Sequence, residues 1–297
     1  MENFSHFTGK RALWGLPQWS TMFRSKTAIL ALCTLTACAQ IEKESLQSGT
    51  GSNNSQSAQG TAFPGVYLAD TVTEAPGHTG SGYYDRNKAT NGVRGGGTAT
   101  GSLDVFSLDN SGTSSHIVLS WAGKKVKNST GADFIIYENA FYSGGNANQR
   151  FMDLLFVEVS NDNVNYCGFA PDFSSVPEST YSMNPAHWQR FAGRAPVIYN
   201  VDSYNLTATQ LFQDNDANAE GDLGGGDLFD LDNLSADNSY ATGCNTTLRD
   251  ELKTNGFRYL RLTPAARRIN ADTGAAFVAD AASFGPDIDG IVARTVE

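Results

Sequence analysis

Six short apolar runs, each closed off by Gly, Asn, Asp, Ser or Pro, limit what this chain of 297 residues can fold into. They are His116–Trp121, Phe134–Tyr137, Leu154–Ser160, Val197–Tyr199, Phe257–Leu262 and Ile288–Ala293. Runs of about six residues that carry branched and aromatic side chains and stop at turn formers read as strands. In one of them Leu155, Val157 and Val159 alternate with Phe156, Glu158 and Ser160, the pattern of a half-buried strand. Asn161-Asp-Asn-Val-Asn165 then supplies the turn of a hairpin leading to Tyr166. Helical spacing is scarce: Leu248 and Leu252 fit one short helix, and Leu228, Leu231 and Leu234 fit another turn or two. Without strand-helix-strand alternation, the expected architecture is all-β, a single antiparallel β-sandwich with one or two short helices. Long loops are expected at 70–102, 171–196 and 203–246, and loops of that length in a compact domain tend to carry function.

The N-terminus reads as an address. Thr27–Ala37 is an uncharged apolar run of 11 residues behind Arg24 and Lys26. It is too short to span a bilayer, which takes roughly 20 apolar residues, and has the build of a secretory signal peptide, residues 1–37. A start at Met22 would give that peptide a conventional length. Leu35-Thr36-Ala37-Cys38 resembles the bacterial lipobox, which makes Cys38 a lipid-bearing first residue of the exported chain; the plainer reading is a small residue near an ordinary cleavage site. Residues 38–60, rich in Ser, Gly, Asn and Gln, bury too little to fold and read as a flexible tether, with the sandwich domain at 61–297.

Charge narrows the partners. The 21 basic and 31 acidic residues give a net charge of −10, and loss of residues 1–37 leaves 17 basic and 30 acidic. Nucleic-acid binding draws on clustered Lys and Arg, so no nucleic-acid partner is expected. With Cys33 in the signal and Cys38 lipidated, Cys167 and Cys244 remain. An even pair in an exported domain suggests one disulfide; two separate buried thiols are the alternative.

The densest polar constellation is Asp214-Asn-Asp-Ala-Asn-Ala-Glu-Gly-Asp222, with Asp214, Asp216, Asn218, Glu220 and Asp222 at every second position. Calcium takes six to eight oxygen ligands, and an alternating acidic loop can curl to supply them. It is no EF-hand, because Ala219 stands where the turn needs Gly and Gly225 where a bidentate Glu belongs. The bland alternative is a solvated acidic loop. Carboxylates also flank the strands: Asp133, Glu138, Asp227, Asp230, Asp232, Asp287 and Asp289, each able to hold an ion or cap a turn. The chain has no G-x-S-x-G, no H-E-x-x-H and no P-loop. Gly95-Gly-Gly97 and Gly224-Gly-Gly226 read as flexible turns. Loop aromatics, among them Tyr84, Tyr142, Tyr181 and Trp188, offer a surface for sugar faces or protein contacts, or else pack the sandwich ends.

Gly131-Ala-Asp-Phe-Ile-Ile-Tyr-Glu-Asn-Ala-Phe141, Phe156-Val-Glu-Val-Ser-Asn-Asp-Asn-Val-Asn165, Gly226-Asp-Leu-Phe-Asp-Leu-Asp232, Tyr259-Leu-Arg-Leu262 and Phe284-Gly-Pro-Asp-Ile-Asp-Gly-Ile291 resemble, in that order, a family of leptospiral-type surface lipoproteins. The likeness runs over roughly residues 95 to 293. It implies a jelly-roll sandwich similar to galactose-binding-like and carbohydrate-binding modules, often calcium-stabilised, with Asp133, Glu138 and Asp289 at corners of the sheet. It implies no activity. The expectation is a non-catalytic, lipid-anchored protein of the bacterial outer membrane or cell surface, a calcium-stabilised binding or adhesion module for a polysaccharide or a host or matrix protein. The alternative is an exported glycan-active hydrolase with paired carboxylates.

Overall fold

The apolar runs become the central strands of two antiparallel sheets. The computed structural model describes residues 65–79, 82–111, 114–173, 182–203, 206–213, 223–238, 240–280 and 283–297. In chain order its elements begin with β1 (Tyr67–Leu68), β2 (Thr71–Glu74), β3 (Phe106–Ser107), β4 (Ile117–Ser120) and β5 (Phe134–Glu138). They continue with β6 (Phe141–Ser143), β7 (Asn146–Phe151), β8 (Leu155–Ser160), β9 (Cys167–Phe169), β10 (Asp172–Phe173) and β11 (Trp188–Gln189). Helix α1 (Ala208–Leu211), β12 (Asp227–Phe229), β13 (Leu234–Ser235), helix α2 (Thr246–Asn255), β14 (Tyr259–Pro264) and β15 (Asp287–Ala293) complete the set. One sheet runs β1-β15-β5-β12 with β3 also on β15, the other β13-β9-β8-β14-β4-β2, and β6 with β7 and β10 with β11 stand as separate pairs. The fold is an all-β sandwich.

The sheets meet over a shared core. Phe134 and Ile136 of β5, Ile288 and Ile291 of β15 and Phe229 of β12 face Val157 and Val159 of β8, Leu260 and Leu262 of β14 and Phe169 of β9. Phe134 lies 5.3 to 5.9 Å from the rings of Phe169, Phe229 and Phe257. Ile288 and Ile291 are three apart and would face opposite ways on a regular strand. A register shift between Ile288 and Gly290 corrects this, leaving Asp289 as the bulged residue.

The sandwich is thicker than the alternation predicts. On β8, Leu155, Val157 and Val159 enter the shared core as expected, yet Phe156, Glu158 and Ser160 are buried too. Phe156 joins a third cluster with Met152, Phe191 and Phe277, and Glu158 takes a bidentate pair of bonds from Arg261 at 2.7 and 2.9 Å. The far face of β5 is likewise covered: Ile135 and Tyr137 pack with Val197, Tyr199, Leu211 and Phe212. Loop residues, invisible to strand periodicity, supply these covers.

Three local expectations change. Val197–Tyr199 forms no regular strand; it is gripped between the two glycine runs, with Gly97 N–H donating to Val197 O and Ile198 N–H to Gly224 O, at 2.9 and 3.0 Å. Apart from Gly97, these glycines are close-packed rather than flexible turns: Gly225 has φ +66°, and a Cβ there would overlap the Pro196 carbonyl oxygen. Leu228, Leu231 and Leu234 fall on β12, a single 3-10 turn and β13 rather than on one helix. The short helix around Leu248 and Leu252 does form, as α2, capped by Asn245. The three long loops also hold short elements, β2, a 3-10 turn at Arg86–Thr90 and α1 among them.

Candidate functional site

Cys38 and the acidic loop Asp214, Asp216, Asn218, Glu220 and Asp222 lie outside the described residues, as does Tyr181. Cys167 at the start of β9 and Cys244, just before the Asn245 cap of α2, are joined in a disulfide.

Of the strand-flanking carboxylates, Asp133, Glu138 and Asp289 are buried but do not share one site. Asp133, next to β5, accepts bonds from Ser129 N–H, Ser129 Oγ and Leu231 N–H at 2.7 to 2.8 Å. Burial pushes its carboxyl up to about 6 despite these donors. Asp289, turned inward by the bulge, receives Arg94 N–H on both oxygens at 2.9 and 3.0 Å, and burial pushes it up to about 7. Both therefore act as internal caps: protein donors occupy the oxygens that were expected to face an ion. Among the described residues no three His, Cys, Asp or Glu side chains surround one point as ready ligands.

Glu138 differs. It ends β5, is 3% exposed, and one oxygen, Oε1, accepts Asp287 N–H at 3.1 Å. Its other oxygen, Oε2, has no hydrogen-bond partner. Asp153 and Asp287 are its charged neighbours. Asp153, 5% exposed, accepts from Asn110 Nδ2 at 3.1 Å and from Ser283 Oγ. Asp287 is held by the Ser107 hydroxyl and the Asn139 side chain. Burial raises all three carboxyls, Glu138 well above the usual range and Asp153 to about 6; repulsion from Asp153 and Asp287 adds to Glu138, and repulsion from Asp280 and Asp287 to Asp153. No basic side chain among the described residues pairs with any of them.

Strand β5 ends and β15 begins at this place, so loops collect over it. Asn139 bonds Ser102 in both directions, Tyr142 N–H donates to Thr98 O at 2.8 Å, Ser107 N–H to Tyr83 O at 2.9 Å and Asn110 N–H to Phe284 O at 3.1 Å. The same loops expose apolar groups: Tyr84 at 60%, Leu103 at 80% and Phe284 at 74%. Tyr142 is half-buried with the Arg150 guanidinium 5.2 Å from its ring centre. Trp188, expected as a loop ring, is 3% exposed and packs in the third cluster against Phe173 and Phe191, so its face is closed to a ligand.

Asp153 and Leu103 were not singled out from the sequence, and Phe284 only as the first residue of a motif. For Asp153 a signal existed, a lone acid between Met152 and Leu154. No helix among the described residues is long and apolar enough to cross a membrane. Compared with protein-family models, curated proteins and solved structures, the chain matches none.

Proposed function

We propose that this chain is an exported, lipid-anchored and non-catalytic β-sandwich module of the bacterial surface, which binds polysaccharide at the loop end over Glu138. The observation that carries the reading is the exposure of the Tyr84 and Phe284 rings, with Tyr142 half-buried, on loops that bond to the strand ends around Asn139, Asp287 and Asp153. Rings held on rigid supports stack on sugar faces at little entropic cost. The signal-like run, Cys38 and the polar tether support anchoring at a distance from the membrane. Calcium as a stabiliser and a jelly-roll path of the strands belong to the same proposal.

The hydrolase alternative would use Glu138 as a protonated acid beside Asp153. At 3% exposure Glu138 gives a glycosidic oxygen no approach, so binding is the better supported reading.

Titration of the full chain with immobilised bacterial and matrix polysaccharides tests it. The double variant Tyr84→Ala/Phe284→Ala is expected to bind about tenfold or more weakly, each ring contributing roughly 1 kcal/mol. Unchanged affinity would refute the loop end as the site.

A further inference from the structure

Strand β15 has two ends of different chemistry. At Ile288 it pairs with Glu138, where the ring-bearing loops collect, and at Ala293 it pairs with Tyr67 of β1. From Ile288 to Ala293 a strand rises roughly 16 Å, so these places lie toward opposite ends of the sandwich. The Tyr67 end is also where the chain arrives from the tether, because β1 is the first strand after it.

That end is basic. After β4 the chain reverses through Ala122 and Gly123, both at positive φ, with Lys124 N–H donating to Trp121 O at 2.8 Å. The turn is held from three sides. Trp121 Nε1 donates to Tyr67 O at 2.9 Å, Val126 N–H to Phe257 O at 2.8 Å, and the Arg258 guanidinium bonds Gly123 O. Lys124 is exposed and Lys125 and Arg258 are half-buried, so three cations share one short stretch of surface. Neighbouring Lys127 is paired with Glu297 at 2.6 Å, but no acid among the described residues pairs with Lys124, Lys125 or Arg258. The Lys124 ammonium lies 5.9 Å from the ring centre of Tyr67, which is 38% exposed. A tyrosine with an apolar body and a wet tip, flanked by lysines, suits the headgroup layer of a bilayer.

We propose that the turn formed by Lys124 and Lys125, with Arg258 and Tyr67, is a docking face for the phosphates of anionic lipid headgroups. A chain at net charge −10 is repelled by such a surface in every orientation except the one that leads with its cations. The tether sets how far the body can stand from the membrane, and the basic turn sets which end it turns back toward it. The ring-bearing loops at the other end of β15 then point outward, toward a glycan. The direction of this arrangement rests on the anchored reading. The two fail separately, since the turn is read by its own lysines whether or not Cys38 carries lipid.

The test is lysine footprinting of the full chain with an amine-reactive ester, in buffer, with phosphatidylcholine vesicles and with vesicles containing phosphatidylglycerol. Lys124 and Lys125 are expected to label at least about threefold more slowly on the phosphatidylglycerol vesicles alone, and to recover in high salt. Lys88, beside Asp104, is the internal control and is expected to keep its rate. In Lys125→Gln/Arg258→Gln, with Lys124 as reporter, the shielding is expected to vanish. Should that variant fail to fold, Lys125→Glu decides by the same reporter. Equal labelling on the two kinds of vesicle overturns the proposal, as does shielding of Lys88 as deep as that of Lys124, or shielding that survives the substitutions. The same shielding by inorganic phosphate at equal ionic strength would make the turn a site for free phosphate, and also overturns it.

Discussion

Asp133 carries a carboxyl into the fully buried interior, and the three donors around it do not fully offset the cost of burial. Its folded value of about 6 against 3.8 for the free group means that the folded state favours the neutral form. The sign follows from linkage: its contribution is most favourable below the unfolded value and is lost as pH rises through about 6, roughly 3 kcal/mol in all. Asp133→Asn is therefore expected to flatten the fall in stability between pH 4 and 7, measured by denaturant unfolding across pH. A slope unchanged in the variant would show that Asp133 is already ionised. Glu158 and Arg261 form a buried ion pair, an acid 1% exposed in its side chain and held by a bidentate base that also sits 3.8 Å over the Tyr166 ring. Removing one partner strands the other, so Arg261→Met is expected to cost about 3 kcal/mol of unfolding free energy, with Glu158→Gln/Arg261→Met together costing less than Arg261→Met alone. A double variant as unstable as the sum of its singles would argue against the pair.

Among the elements, the strand cores were legible and their coverings were not. Leu155, Val157 and Val159 announce an inward face by alternation, and α2 by Leu248 and Leu252. Phe156 and Tyr137 look outward on the same logic, yet each is buried by segments distant in sequence, Phe277 on one and Tyr199 on the other. The bulge at Asp289 was equally hidden, because it shows only as two isoleucines at an odd spacing. Gly225 illustrates a related blind spot, since a glycine run reads the same whether it is loose or gripped. Gly225→Ala, with a positive φ and the Pro196 carbonyl in the way, is expected to destabilise by several kcal/mol, where a flexible turn would tolerate it within about 0.5. The bond between Cys167 and Cys244 closes a separation of 77 residues between β9 and the cap of α2. Cys167→Ser/Cys244→Ser is expected to lower the unfolding midpoint by roughly 5–10 °C, from about 3 kcal/mol of lost constraint on the unfolded chain. A midpoint equal to that of the parent would show that the sandwich does without the link.

For the whole molecule, composition and strand spacing were enough to give an all-β sandwich, and the N-terminal pattern was enough to propose an anchor. The candidate site was only half visible. Glu138 and Phe284 stand on two of the quoted motifs and Tyr142 among the loop rings, but Asp153 and Leu103 lie on segments whose paths no local pattern encodes. Acidic character fits a module that meets neutral glycans rather than phosphate backbones. The most direct measurement of the central claim is retention of bacterial cells displaying the chain on a polysaccharide-coated surface under washing, scored with parallel membrane fractionation. The account predicts that the parent chain holds the cells, that Tyr84→Ala/Phe284→Ala loses the cells while the protein stays with membranes, and that Cys38→Ser loses both. Cells held equally well without the two rings, or a Cys38→Ser chain that still fractionates with membranes, would contradict it.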